Sequence, residues 1–409
     1  METEILGLSI QGDGIAEGPL YVPYALPGEV VSGTVSGNRM EGVKILRPSA
    51  ERVKAPCPHF RSCGGCALQH ASDGFLAEWK TGVVRKALAA QGLAAEFRET
   101  VTSPAGSRRR AGFTGRRTKK GAMVGFHARG SDLLLAIPSC VLLHPDIMAA
   151  MPLYEALTKI GATRKVAVEI AVTLSLEGLD VAVSNAVPAD GPMLAELGQL
   201  VGTSGIARLS WNGEVIATRT PPVQRFGSAQ VVPPPGAFLQ ATQAGQDALT
   251  AAVLEAVGDA RNVADLFSGC GTFTLPLAER ADVLALEGDS ALIAALDAGW
   301  RKGTGLHRVV AQKRDLFRNP LLAEDMRGLD AIVIDPPRAG AKAQVAELAA
   351  SDMGRVAFVS CNPVTFARDA KVLVAAGFGI DWLQVVDQFR WSTHVELVAA
   401  FSRQVSAAI

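Results

Sequence analysis

Cys361 sits in the stretch SCNPVTFARD, directly after the apolar run VAFV and before an Asn-Pro turn. A thiol that does chemistry acts as its thiolate, either attacking carbon or binding metal, whereas an inert one is a small buried hydrophobe. Taken alone, position 361 admits both. Three more of the six cysteines, Cys57, Cys63 and Cys66, share the loop CPHFRSCGGCALQH, and Cys140 in IPSCVLLHP is the obvious fourth member. In a chain kept in a reducing compartment such groups hold metals more often than disulfides. Four thiolates suit zinc and an iron–sulfur cluster equally, so spacing leaves the metal open. The sixth cysteine, Cys270, reads as a small buried side chain.

A second group of polar residues fits a nucleoside. VADLFSGCGTFTLPLAER joins an apolar strand to a helix through a Gly-x-Gly turn at Gly269 and Gly271. Glycine lets the backbone approach a ligand, and a helix start offers free N–H groups. Glu287 closes the next strand sixteen residues after Gly271, where a carboxylate accepts from ribose hydroxyls. Asp315 and Asp335 (of DPPR) end the third and fourth strands. The third glycine of the dinucleotide fingerprint is missing, so S-adenosylmethionine (SAM), with no pyrophosphate, fits better than a dinucleotide. Arg338 follows DPP where amino-group methyltransferases carry an aromatic residue, which argues against methylation of an exocyclic nitrogen.

Strands must hold these groups. At 409 residues with 48% hydrophobic and 20% charged side chains, the chain is long enough for two to four folded domains. Residues 1–54 contain short β-type runs broken by Gly, Pro and Asn, the pattern of a small OB-like barrel. Residues 55–232 carry the cysteine loop, a helix in FLAEWKTGVVRKALAAQGL and then a mainly β segment; about 73–105 is expected to pack on the catalytic part. From 233 onward, after VVPPPG, helices alternate with the strands NVADLF, DVLALEG, RVVAQKRD, LDAIVIDPP and RVAFVSCNP. That alternation predicts a doubly wound, mainly parallel α/β sheet over 233–409, with VELVAAFS closing its edge.

Net charge is zero, 40 Lys and Arg against 40 Asp and Glu. Locally, Ser107 to Gly130 holds eight Lys or Arg and no acid, which points to phosphate contacts by Arg108 to Lys120. The opening METEILGLSIQGDG lacks the basic flank and apolar core of a signal peptide, and no apolar run of about 18 residues occurs. The expectation is a cytoplasmic protein with no membrane partner, monomeric as the simplest case.

The motifs DLFSGCGTFTLPLA, ALEGD, IDPPRAG, SCNPVTFARD and THVEL follow one another in the order found in bacterial RNA 5-methyluridine methyltransferases. Over nearly all 409 residues the chain resembles the 23S rRNA branch of that family, with its N-terminal TRAM barrel and cysteine loop. The resemblance implies that Cys361 is the nucleophile toward uracil carbon 6 and Glu396 the general base that removes the carbon 5 proton. It implies a SAM site at Gln240, Phe267, Thr272, Glu287, Asp315 and Asp335. Thr272 and Asp315 stand where relatives often carry Asn. Cys57, Cys63, Cys66 and Cys140 are by the same likeness ligands of a 4Fe-4S cluster. His394, two residues before Glu396, is expected on the same strand face to orient it. The partner is then RNA, rRNA in preference to tRNA, gripped by the barrel and the basic stretch. The alternatives are a tRNA uracil-5 methyltransferase and a non-catalytic RNA-binding factor of the same fold, the latter disfavoured by the presence of both Cys361 and Glu396.

Overall fold

Five apolar runs become the parallel strands Asn262–Leu266, Asp282–Glu287, Val309–Lys313, Ala331–Ile334 and Arg355–Ser360 of one eight-stranded sheet. In the computed structural model residues 1–403 are described; the last six positions of the expected 233–409 unit lie outside the described residues. Alternate side chains point to opposite faces, so four of these runs feed two cores, while Val309–Lys313 feeds one. Ala264, Leu266, Ile332, Ile334, Val356 and Phe358 pack with Val345, Phe366 and Leu373 on one side. Val263, Ala331, Val333, Ala357 and Val359 pack with Leu249, Val253 and Leu296 on the other. The strand order places Asn262–Leu266 beside the parallel strand Ala331–Ile334, and successive strands are added to opposite sides from there, the kind of point at which ligands of open α/β sheets enter.

The strand Leu397–Arg403 does not close the edge, as its sequence suggested. It runs antiparallel between Arg355–Ser360 and Phe378–Asp387, and the edge on that side is the two-residue strand Val101–Thr102, Val309–Lys313 forming the other. The helix Asp73–Ala89 also reaches this unit, burying Val84 and Leu88 in the same core as Phe366 and Leu373.

Residues 2–47 form a six-stranded curled sheet around Ile5, Leu20, Val22, Val31 and Met40. Gly33 permits the curl: a Cβ there would stand 2.6 Å from the Glu41 carbonyl and from Met40 Cγ, beside a register shift at Ser32 and Thr34. The central segment is a seven-stranded mixed sheet, and it is less purely β than its sequence suggested. Helices Met151–Gly161 and Gly191–Ser204, each started by a proline in the first turn, bury Tyr154, Leu157, Leu197 and Val201 against it.

The start of the basic stretch joins this sheet to the catalytic unit. Arg109 is 5% exposed and donates to the Gln240 carbonyl (3.0 Å), Gln243 Oε1 (2.6 Å) and Gln246 Oε1 (2.7 Å). Arg110 donates to the carbonyls of Leu239 (2.6 Å) and Ala237 (3.1 Å). This corrects the expectation that the whole stretch Arg108 to Lys120 faces phosphate. Carbonyls that arrive without partners take up the first arginines, while Arg116, Arg117, Lys119 and Lys120 stay exposed.

Candidate active site

Cys361 directly follows the strand Arg355–Ser360 and precedes Asn362, the N-cap of a helix. Asn362 caps the helix Pro363–Ala375 by accepting from the Val364 N–H (3.1 Å), and Pro363 takes the first turn, where its missing N–H costs nothing. The Asn-Pro turn thus stops the strand and holds the thiol near the positive end of a helix, which favours a thiolate. Asn362 Nδ2 (2.9 Å) and Thr365 Oγ1 (3.2 Å) also donate to the Arg338 carbonyl, tying this turn to the DPPR loop.

Every catalytic and SAM-site residue expected from the sequence lines one cavity of about 580 Å³: Gln240, Phe267, Thr272, Glu287, Asp315, Asp335, Cys361 and Glu396. Phe267 adopts φ of 65° as the chain turns off its strand, and its N–H and that of Ser268 both donate to the Leu286 carbonyl (2.9 and 3.1 Å). Such a backbone costs a non-glycine residue about 1–2 kcal/mol. Glu287 accepts from the Gly269 N–H and the Asp289 N–H (3.0 Å each), so backbone holds both oxygens and each keeps a lone pair for the cavity. Asp315 accepts from the Phe317 N–H (3.0 Å).

His394 departs from expectation. It and Glu396 lie in the loop before the strand Leu397–Arg403, not on a common strand face, and His394 Nδ1 meets Arg338 Nη2 at 3.0 Å. Sequence reading also passed over Phe238, Phe317 and Phe389 at the cavity wall, and Gln388 and Asp265 behind it. Phe238 and Phe317 each lie two residues from a polar site residue, which was the available signal.

Four carboxylates (Glu287, Asp315, Asp335 and Glu396) line the cavity against one guanidinium, Arg338. Burial, and then the Asp335 charge, push Glu396 up to about 8. Burial raises Asp335 to about 7, and likewise the fully buried Asp265, whose Oδ2 accepts from Thr274 Oγ1 at 2.5 Å. Cys361 is pushed to about 11 by burial and by the Glu396 and Asp335 charges. A site this acidic repels a pyrophosphate and suits a cation.

The four loop cysteines line a second cavity of about 470 Å³ together with Arg108, Arg129 and Arg390. All four are free and half-buried. Among the described residues no three His, Cys, Asp or Glu side chains are grouped so as to hold a single metal ion. The cavity also reaches Ser392, Thr393 and His394, and the N–H groups of Ala67 and Leu68 both donate to the Trp391 carbonyl (2.8 and 3.0 Å). Cysteine loop and catalytic loop are therefore hydrogen-bonded to each other.

A doubly wound sheet with an acid-rich cavity at its switch point, holding a thiol and a carboxylic acid, fits a SAM-dependent methyltransferase, and the comparisons with known proteins agree. Residues 233–404 match the family described as tRNA (Uracil-5-)-methyltransferase. An uncharacterized RNA methyltransferase of Caulobacter vibrioides is 43% identical, with 98% of this chain and 99% of that one covered. The 23S rRNA (uracil(1939)-C(5))-methyltransferase of Halomonas elongata is 32% identical over 99% of this chain and 90% of its own. The crystal structure of Pyrococcus abyssi tRNA (uracil-54, C5)-methyltransferase in complex with S-adenosyl-L-homocysteine superposes with a TM-score of 0.75 at 23% identity, covering 98% of this chain and 99% of that one, and so shares the fold. The chain belongs to the RNA uracil-5-methyltransferase family.

Proposed function

We propose that the protein forms 5-methyluridine in 23S rRNA, with Cys361 as nucleophile and Glu396 as general base. The observation that carries this reading is the meeting of Cys361 and Glu396 in the cavity that also holds Glu287 and Asp335. Uracil carbon 5 is a poor nucleophile. Addition of the Cys361 thiolate to carbon 6 moves the ring's π electrons toward carbon 5 and oxygen 4, which makes carbon 5 nucleophilic. SAM supplies an electrophilic methyl carbon and leaves as S-adenosylhomocysteine. Glu396 then takes the carbon 5 proton, the electron pair reforms the double bond, and the bond from carbon 6 to Cys361 breaks. Gln240, Phe267, Thr272, Glu287, Asp315 and Asp335 hold the cofactor, with Phe267 and Phe317 (ring centroids 5.4 Å apart) offering faces to its adenine.

The choice of 23S rRNA follows the Halomonas elongata relative. The test is methylation by purified protein and SAM of 23S rRNA and of bulk tRNA from a strain lacking the gene, with the modified base mapped by mass spectrometry. Methyluridine in 23S rRNA alone is the expected result; product in tRNA alone overturns the choice of RNA, and product in neither overturns the reaction.

Four thiolates suit zinc and a 4Fe-4S cluster alike, and the choice of the cluster for Cys57, Cys63, Cys66 and Cys140 follows the resemblance to the 23S rRNA branch of the family. Three arginines around the cavity complement the negative charge of such a cluster. Bound there, it would cross-link the cysteine loop to the central sheet, since methyl transfer requires no electron carrier.

The RNA backbone is held by the exposed half of the basic stretch. Arg117, Lys119 and Lys120 share a groove of about 770 Å³ with Lys159 and Arg164, which come from the end of another element. The curled N-terminal sheet, as a TRAM-like barrel, supplies the other grip.

A further inference from the structure

Gln388 is 1% exposed and lies just past the strand Phe378–Asp387, behind the cavity wall. Its carboxamide makes three hydrogen bonds. Oε1 accepts from the Ala241 N–H at 2.6 Å, and Nε2 donates to Gln240 Oε1 at 2.5 Å and to Glu396 Oε2 at 3.2 Å. The chemistry of the partners dictates this orientation. A main-chain N–H can only donate, so the atom facing Ala241 must be the oxygen, and the nitrogen must then face Gln240 and Glu396.

The surroundings hold Gln388 in place. Asp387 accepts from the buried Lys80 ammonium at 2.5 Å and from the Phe389 N–H at 3.0 Å, and Lys80 also donates to the Phe389 carbonyl at 3.1 Å. Gly245 leaves the necessary room, since a Cβ there would stand 2.7 Å from Gln388 Cβ.

We infer that Gln388 is a positioning residue for proton removal: it occupies Glu396 Oε2 and so presents Oε1 to carbon 5. The inference rests on the uracil-5 reading above. A carboxylate oxygen that accepts a hydrogen bond is the less basic of the two, and a tethered carboxyl cannot rotate away. Charged groups reach Glu396 from two directions: Asp335, just past the end of a parallel strand, opposes its ionisation, and Arg338 in the DPPR loop favours it. Gln388 is the neutral donor on the remaining side, and without it the proton affinity of Glu396 rises. Once SAM is saturating, which removes the bearing of Gln388 on SAM affinity through Gln240, the effect falls on the last step, because the hydrogen bonds of Gln388 do not reach Cys361.

The experiment uses RNA tritiated at uracil carbon 5 and SAM labelled in its methyl group, in single turnovers at saturating SAM from pH 6.5 to 9.5. For Gln388→Met we expect methyl transfer within a few fold of wild type and tritium release slowed roughly 10-fold or more. The RNA–protein adduct should accumulate on denaturing gels, and the pH midpoint of release should move upward. Gln388→Glu keeps the size and the acceptor for Ala241 while placing a second carboxylate beside Glu396, so it should show the same split; it carries the test if Gln388→Met fails to bind SAM. Parallel loss of both steps, or release with an unshifted midpoint, overturns the role of Gln388. A wild-type protein that releases no tritium and methylates no uridine overturns instead the uracil-5 reading.

Discussion

A thiol raised to about 11 and a carboxylic acid raised to about 8 are both mainly protonated at pH 7 before ligands arrive. SAM brings a sulfonium charge into a cavity of carboxylates, so its binding favours both ionised forms. Cys361→Ala should abolish turnover while SAM affinity stays within a few fold, because the thiol makes and breaks a bond but holds no cofactor; residual turnover would discard the covalent route. Glu396→Gln should methylate once and stall as a denaturation-resistant RNA–protein adduct, its release step slowed ~10²–10⁴-fold. For the wild type, release should quicken as pH rises through about 8, where Glu396 becomes a base. The same proton has a stability consequence. A carboxyl whose folded-state value is raised binds its proton more tightly when folded, so stability is full below the unfolded value near 4 and falls as pH rises toward 8. Glu396→Gln without SAM should therefore melt above wild type at pH 8, and calorimetry decides it. The turn that carries Cys361 was legible locally in its Asn-Pro sequence, whereas the role expected of the thiol came from the resemblance alone. Arg109 was not legible, because the carbonyls that take its guanidinium belong to residues 131 or more positions away.

Elements explain how these side chains stay in register. The helix Asp73–Ala89 lies far from the catalytic sheet in sequence, yet its Lys80 pairs with Asp387 at 0% and 1% side-chain exposure and so anchors the loop that leads to Glu396. Removing one partner strands the other charge in the core, and Lys80→Ala should cost about 3–5 kcal/mol of stability in denaturant titration. On its other side the loop is held by the cysteine loop through the Trp391 carbonyl. Anaerobically purified protein should thus be brown and carry iron and sulfide, and alanine at Cys57, Cys63, Cys66 or Cys140 should lower both the melting temperature and the rate of adduct release. Zinc in place of iron would reverse the choice of metal. Four of the five parallel strands were legible because each is a largely apolar run buried on both faces, while Val309–Lys313, at one rim, carries only a short apolar start. The place of Leu397–Arg403 was not legible, since an apolar strand pairs equally well inside a sheet or at its rim, and the rim on that side is the short Val101–Thr102 strand, distant in sequence.

At the scale of the whole molecule, a net charge of zero conceals a strongly polarised arrangement, with acids gathered in the SAM cavity and bases at the far end of the central sheet. One strand measures the separation. Arg110 is clamped to the catalytic unit and Arg117 lines the basic groove, and the eight residues between and including them extend for about 25 Å. On the proposed reading the RNA reaches from a uracil flipped into the cavity of Cys361 to phosphates at the basic groove; unstacking that uracil costs on the order of a few kcal/mol, and distant phosphate contacts offset it. Substituting Arg117, Lys119 or Lys159 by alanine should weaken RNA binding and reduce the slope of log affinity against log salt by about 1 each. Single-turnover methylation at saturating RNA should stay near wild type, because these cations touch neither the base nor the cofactor. Arg109→Ala should behave oppositely, leaving the salt slope intact while lowering stability and SAM affinity, since its guanidinium holds the Gln240 segment. Affinity measured against salt for the four variants separates the two halves of the basic stretch, and an unchanged slope in all three groove variants would mean that the RNA follows another face.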